Sequence, residues 1–536
     1  MTQAWEIENF LDVRDNQLNI DGVSAVELAR EYGTPLFVFS ESRIRHNIVR
    51  LQKAETAIDC PLKICYAAKA NSTMAILKTV KDAGIDIEVN SGGELWKVLK
   101  AGFTGDQIIF NGTSKEVWEI ENAINADIFA IQVDSLYELK LIEETAKRLG
   151  KTANVSLRLV PEIESGTHSG LQTALLTSKF GMMPDEAFSA FRDYKDSPHL
   201  DLCGIHLHVG SQNPDPIVYC QALALLFDSL LKIFKESGTK LKHINLGGGF
   251  PVNYLRDESR YIERSPVIIE KFREHFSSET RTSDVPHSAL KALAAQDERE
   301  DEQKGRLTML SAEFEPRDAI SDAWEQVVLK ATITCSEHLL DNLTLLVEPG
   351  RSIISDTGIC LTTVRNAKSR PMSEISFEYF EHLERWKSES GGGVIDFQNR
   401  VIRKGNVNEY WLLTDAGFNN LLSMETYKWY YDLISAERSD AKHDFPYKVA
   451  GPLCDGGDVY FDIAGEHRLP DHRLLPEEIK PNEILALLNC GAYTIAQESQ
   501  YNGRFLPAVV LIRENGEVEL VRKRGQFEDL ITNDLF

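Results

Sequence analysis

Residues 62–71 read Leu-Lys-Ile-Cys-Tyr-Ala-Ala-Lys-Ala-Asn, a short apolar run closed by a lysine. A continuous apolar segment of this length is the mark of a strand buried on both faces, as in a parallel sheet. Seven comparable runs follow, at 85–89, 108–110, 128–133, 154–160, 203–209, 242–247 and 344–348. Stretches of helical period separate them. In 135–149, Leu136, Leu139, Ile142 and Ala146 fall on one face while Glu143, Lys147 and Arg148 fall elsewhere. Eight strands with helical crossovers predict an α/β fold, a (β/α)8 TIM-like barrel whose site residues stand at the C-terminal ends of the strands.

Beyond residue 352 the rhythm changes to short strand-like runs at 408–414, 446–450, 484–489, 506–512 and 517–521, separated by Gly, Pro, Asp and Asn. This predicts a C-terminal antiparallel β-sandwich or barrel domain. The expected division is an N-terminal segment, 1–34, packing with the β domain, a barrel over 35–352 and the β domain over 353–536. Two segments exceed what this plan needs. One, about 275–342, where the barrel would otherwise need one helix, includes the charge run Ala294 to Lys304, which reads as solvated surface. The other, about 366–407, holds Phe377, Phe380 and Leu383 at helical spacing before Gly391-Gly392-Gly393.

The chain of 536 residues carries a formal net charge of −24. Such a balance disfavours nucleic acid and anionic membranes as partners. Eight cysteines are scattered with no C-x-x-C pair and no metal-ligand spacing, so a reduced, cytoplasmic setting and no metal are expected. The first ten residues lack an apolar core, and no run of about 18 apolar residues occurs, so neither an export signal nor a membrane span is expected.

Several strand ends carry chemistry. Lys69, at the edge of an apolar run, is suited to Schiff-base formation through desolvation, although rim lysines are more often solvated or salt-bridged. Gly204-Ile205-His206-Leu207-His208-Val209-Gly210-Ser211 sends His206 and His208 to one side of a strand. Gly247, Gly248 and Gly249 follow another strand and expose backbone amides that could cradle a phosphate; unliganded glycine turns are equally common. Glu348-Pro349-Gly350-Arg351 offers a carboxylate and a guanidinium in one turn, which could also be a paired rim.

Taken together, these stretches resemble the fold-type III decarboxylases, the group of diaminopimelate and ornithine decarboxylases. The likeness rests on Gly33-Thr34-Pro35-Leu36-Phe37-Val38-Phe39, Tyr66 to Asn71, Ser91-Gly92-Gly93-Glu94-Leu95, Gly166-Thr167-His168, Ser178-Lys179-Phe180-Gly181, His206 to Gln212, Asn245 to Phe250, Glu348 to Arg351, Cys454-Asp455-Gly456-Gly457-Asp458 and Gly491-Ala492-Tyr493-Thr494, in the family's order. The resemblance implies pyridoxal 5'-phosphate (PLP) carried by Lys69, with Glu348 at the pyridine nitrogen and His208 on the ring face. It implies Ser211, Gly247, Gly248, Gly249, Arg351 and Tyr493 around the phosphate. It also implies that Cys454 comes from the second subunit of a homodimer with shared active sites and returns a proton to the α-carbon.

Departures bear on the substrate. Diaminopimelate decarboxylases resembling this chain place an Arg-Pro pair after their D-A-G-M-N run. Here Asp415-Ala416-Gly417-Phe418-Asn419 is followed by Ser423-Met424, though Tyr427 is kept. Asp455 matches the ornithine enzymes' cysteine-aspartate-glycine pattern and suits a distal ammonium. Glu88 stands where the family usually has aspartate. The implied activity is PLP-dependent decarboxylation of a diamino or basic small-molecule amino acid, or a derivative, closest to diaminopimelate decarboxylase but with altered specificity. Two alternatives stay open: a catalytically inactive decarboxylase-like binding protein, and a fold-type III amino-acid racemase. Against the second, the run after Lys69-Ala70-Asn71 is Ser72-Thr73 where racemases have A-Y-G.

Overall fold

The computed structural model describes every residue except 1–4, 161–162, 164–177, 214, 255–314, 372–407, 444, 462, 464–468, 470–471 and 536. Eight parallel strands close a barrel: Leu62–Ala67 (β1), Asp86–Val89 (β2), Ile108–Phe110 (β3), Ala130–Val133 (β4), Ala153–Arg158 (β5), Leu200–His206 (β6), His243–Asn245 (β7) and Thr344–Val347 (β8). Each corresponds to one of the eight apolar runs. β8 pairs with β1 and so completes the ring.

Local chemistry sets the helices between them. Ser91 and Ser135 cap Gly92–Ala101 and Leu136–Leu149 through hydroxyls that accept from Glu94 N and Glu138 N, each at 3.2 Å. Gly102 and Gly150 end the same helices in the left-handed conformation, φ 97° and 64°. At the bottom of the barrel Gly204 gives way to a neighbour: a Cβ there would run into the His243 ring, and the β5–β6 register shifts between Leu202 and Gly204.

Helix Ile217–Ser237 is long and apolar enough to cross a membrane, but 56% of its most apolar window is buried within the protein. It packs against helix Pro316–Ile333. In the segment 275–342, where the barrel needs one helix, the described part supplies it, with Ala319, Ile320, Ala323 and Val327 buried. The charge run Ala294 to Lys304 and the helical spacing of Phe377, Phe380 and Leu383 lie outside the described residues, as does Gly166-Thr167-His168.

A nine-stranded sheet forms the second body. Its main path runs Arg473–Leu475, Phe445–Ala450, Asn408–Thr414, Gly358–Pro371, Leu36–Ser40, Ala508–Ile512 and Val518–Arg522, with Leu433–Ser435 and Ile484–Leu487 attached. Pairing is mostly antiparallel, yet Ala508–Ile512 runs parallel to Leu36–Ser40 and Phe445–Ala450 parallel to Asn408–Thr414. Leu36–Ser40 is fully buried, and the chain contributes it to this sheet before it enters the barrel. Trp5, Phe10, Leu18 and Ile20 from the N-terminal segment pack on the same sheet.

Candidate active site

β1 stops at Ala67, and one 3-10 turn, Ala68–Ala70, carries Lys69 to the rim. Its Nζ donates to both oxygens of Glu88, at 3.4 Å each. Glu88 belongs to β2 and is fully buried. Asn111, the residue after β3, joins two acids through one amide group: Nδ2 donates to Glu88 Oε1 at 2.7 Å and to Glu348 Oε2 at 2.9 Å. Glu348 follows β8, and its Oε1 accepts from Asn245 Nδ2, at the end of β7, at 2.7 Å.

Burial, and then the charge of Glu88, pushes the Glu348 carboxyl up to about 7, against the pull of Lys69 and the two asparagines. For Lys69, burial opposes the ammonium form, but the surrounding acids, Glu88 first, outweigh it and hold the amine above the ordinary lysine range. The side chain keeps 40% of its surface exposed, so solvent screens part of that field.

His206 closes β6 with Nε2 3.7 Å from Glu348 Oε2, beyond a hydrogen bond. His208 lies two residues on, and its Nδ1 accepts from the Gly248 amide at 3.1 Å. Burial, then the charges of Lys69 and Arg158, holds His208 well below the usual histidine range; for His206 burial and then Arg158 act in the same direction. Both rings are therefore neutral at physiological pH.

The glycine turn is shaped by what it must avoid. A Cβ on Gly248 would strike the carbonyl oxygen of Glu348, and one on Gly249 the carbonyl oxygen of Gly210. The Gly247 amide donates to Asn245 Oδ1 at 2.8 Å, so two of the three amides expected to face a phosphate are bonded within the chain. Gly249 is the third. Beside this turn, Arg351 donates through Nη1 to Tyr254 at 2.8 Å and through Nε to Ser211 Oγ at 3.3 Å. Its guanidinium lies 4.4 Å from the Trp429 ring and 4.8 Å from the Tyr493 ring. Tyr493 is tied to the lysine turn through its amide, which donates to Ala70 O at 2.9 Å.

Lys69, Glu348, His208, Gly247 to Gly249, Ser211, Arg351 and Tyr493 thus converge. Ser423 joins them, its hydroxyl donating to Tyr493 O at 3.3 Å and Gln497 Oε1 at 3.2 Å. Tyr427 ends the same short helix, Leu422–Thr426. Cys454 and Asp455 stand apart. The cysteine is exposed, its amide donating to Asn502 Oδ1 at 2.7 Å, and Asp455 accepts from Gly457 N and from Tyr501. Among the described residues no hydrogen bond or ion pair links either to Lys69, Glu348 or Arg351.

Asn111, Tyr254 and Trp429 were not singled out from sequence, and Asn245 was quoted only within the Asn245 to Phe250 run, with no role. For the two asparagines a signal existed: a polar residue at the C-terminal end of a barrel strand marks a site position.

The donor set fits a planar phosphorylated aldehyde. It offers an amine nucleophile, a carboxyl able to hold a proton, a neutral imidazole, and a guanidinium beside a turn too tight for any Cβ.

Known proteins agree with this chemistry. Residues 43–285 match the family described as "Pyridoxal-dependent decarboxylase, pyridoxal binding domain", and 352–491 match "Pyridoxal-dependent decarboxylase, C-terminal sheet domain". The chain is 30% identical over 522 residues to a diaminopimelate decarboxylase of Methanothermobacter thermautotrophicus, covering 97% of this chain and 96% of the relative. It is 28% identical over 531 residues to the diaminopimelate decarboxylase of Methanocaldococcus jannaschii, covering 98% and 96%. The crystal structure of the M. jannaschii enzyme in complex with L-lysine superposes with a TM-score of 0.73 at 27% identity, over 99% of each chain.

Proposed function

From the premise that the chain belongs to the pyridoxal-dependent decarboxylases, as a diaminopimelate decarboxylase-like carboxy-lyase that uses PLP on a small amino-acid substrate, we propose that its substrate is a diamino or otherwise basic amino acid, or a derivative, and that its specificity departs from diaminopimelate. One observation carries this reading. Where an arginine would meet a distal carboxylate, the neutral Ser423 hydroxyl turns to Tyr493 O and Gln497. Asp455 and Glu425 instead converge on Gly457, within 3.4 and 3.5 Å of where its Cβ would stand. Glu425 is paired with Lys428 Nζ at 2.8 Å, so Asp455 is the carboxylate that favours a substrate ending in a cation, in the site that Cys454 serves.

PLP, when bound, supplies the electron sink for the pair released as CO2 departs. Lys69 would hold it through its amine, Arg351, Ser211, Tyr493 and the Gly247 to Gly249 turn through its phosphate, and His208 against its ring. Glu348 would hold a proton at the pyridine nitrogen. The Asn245 and Asn111 bonds fix the plane of that carboxylate, so no reorganisation is needed during turnover. Cys454 Sγ returns the proton to the α-carbon from a partner subunit. The support for that placement is that the cysteine is exposed and outside the cluster around its own Lys69.

The test is CO2 release from diaminopimelate, ornithine, lysine, arginine and carboxylated polyamine precursors. Turnover of a substrate with a terminal ammonium or guanidinium above that of diaminopimelate supports the reading; preference for diaminopimelate refutes the altered specificity.

A further inference from the structure

Glu88 is fully buried, and its hydrogen-bond partners among the described residues are Asn111 Nδ2 and Lys69 Nζ. Asn111 is neutral, so the lysine is the cation in direct contact. The other charged or titratable groups that face this pair are Glu348 after β8, Glu94 on the helix Gly92–Ala101, Tyr493 beyond Ile484–Leu487, Arg158 on β5, and the two neutral imidazoles after β6. Three of these are acids or phenols that make a second negative charge near Glu88 unwelcome.

If Lys69 carries the cofactor, as proposed above, its amine is released as an ammonium and taken back as a neutral nucleophile in each cycle. An ionised Glu88 would then lose its counter-ion while remaining out of water, which is strongly unfavourable. A proton passed from Nζ to Glu88, across the 3.4 Å that already separates them, removes that difficulty. Asn111 makes the geometry hold. Both hydrogens of its amide are committed to the two acids, so Glu88 is tethered to Glu348 and cannot swing with the lysine.

We propose that Glu88 exchanges the proton of Lys69 Nζ, and that Asn111 is the positioning residue that keeps it within reach. One Nζ–H bond breaks as an O–H bond forms on Glu88, and the nitrogen bonds to the cofactor carbon with the electron pair it keeps. Glu88 passes that proton to the departing amine nitrogen and takes the second from Nζ; the amine leaves with the electron pair of its bond to the carbon while Nζ completes the double bond there. Glu88 ends neutral, and nothing is oxidised or reduced.

The test uses holoenzyme equilibrated with methylamine until the lysine-bound absorbance band is displaced. The mixture is then diluted in a stopped-flow instrument, and return of the band is followed across the neutral pH range. Glu88→Gln is expected to slow the return on the order of 10²-fold and flatten its pH profile, with Glu88→Asp restoring much of both. Asn111→Ala should slow it as well, and add little when combined with Glu88→Gln. Thermal unfolding of each holo variant reports whether the fold is kept. A Glu88→Gln return at the unmutated rate, or one slowed equally at every pH and not rescued by aspartate, overturns the proposal. Failure of the functional reading is distinct: borohydride reduction of the unmutated holoenzyme would then label a residue other than Lys69.

Discussion

The guanidinium of Arg351 lies 4.4 Å from the centre of the Trp429 ring, with Tyr254 holding it from the side through a 2.8 Å bond. A desolvated cation–π contact contributes about 1–2 kcal/mol. Removing it in Trp429→Leu is expected to weaken cofactor binding by about 5- to 30-fold, with Trp429→Phe in between. Absorbance titration with PLP measures it, and equal affinities in all three proteins would show that the aromatic wall does not orient the arginine.

Glu348 links the site to pH. Before cofactor is bound, burial and Glu88 raise its folded-state pKa to about 7 from the ordinary 4.5. Between those values the folded protein binds more protons than the unfolded chain, so this group lowers stability as pH rises through the window and leaves the loss in place above about 7. Glu348→Gln should abolish that slope. Urea unfolding of the cofactor-free proteins at acidic, neutral and mildly alkaline pH is the measurement; a slope unchanged by the substitution would contradict the assignment.

Cys454 offers a test of shared sites. If it acts in the partner's active site, Lys69→Ala and Cys454→Ala are each inactive alone, but their hybrid contains one site free of both changes. Subunit exchange between equal amounts should restore about a quarter of unmutated activity, since half of the dimers are hybrids with one intact site of two. No recovery despite demonstrated exchange would place the cysteine in its own subunit's site.

Ser423 can be used to move the specificity. Ser423→Arg supplies a guanidinium next to Tyr493, and a charge-assisted bond to a carboxylate contributes about 1.5–3 kcal/mol. The ratio of kcat/KM for diaminopimelate over lysine should rise by about 10- to 100-fold. Competition between the two substrates reads this ratio directly, and no change would mean that the distal end of the substrate lies elsewhere.

All eight barrel strands were legible because burial on both faces forces an unbroken apolar run, which needs no knowledge of the neighbours. Gly358–Pro371 was not foreseen. Its second half, Val364 to Pro371, is polar and alternates poorly, and it is a strand because Asn408–Thr414 pairs along it. Pro316–Ile333 lies in the segment read as longer than the one helix the barrel needs there, and it packs on Ile217–Ser237 in the barrel wall.

From the sequence came the lysine at the end of β1, the glycine turn after β7 and the acid and arginine after β8, because each closes an apolar run and so must sit at the barrel rim. Tertiary structure alone decided how they act on one another. Asn111 reaches Glu348 across 237 positions, and Arg351 meets Trp429 from a different body of the protein. Hydrogen bonds and ring contacts depend on side-chain atoms within a few ångströms, and closing the barrel is what brings those atoms together.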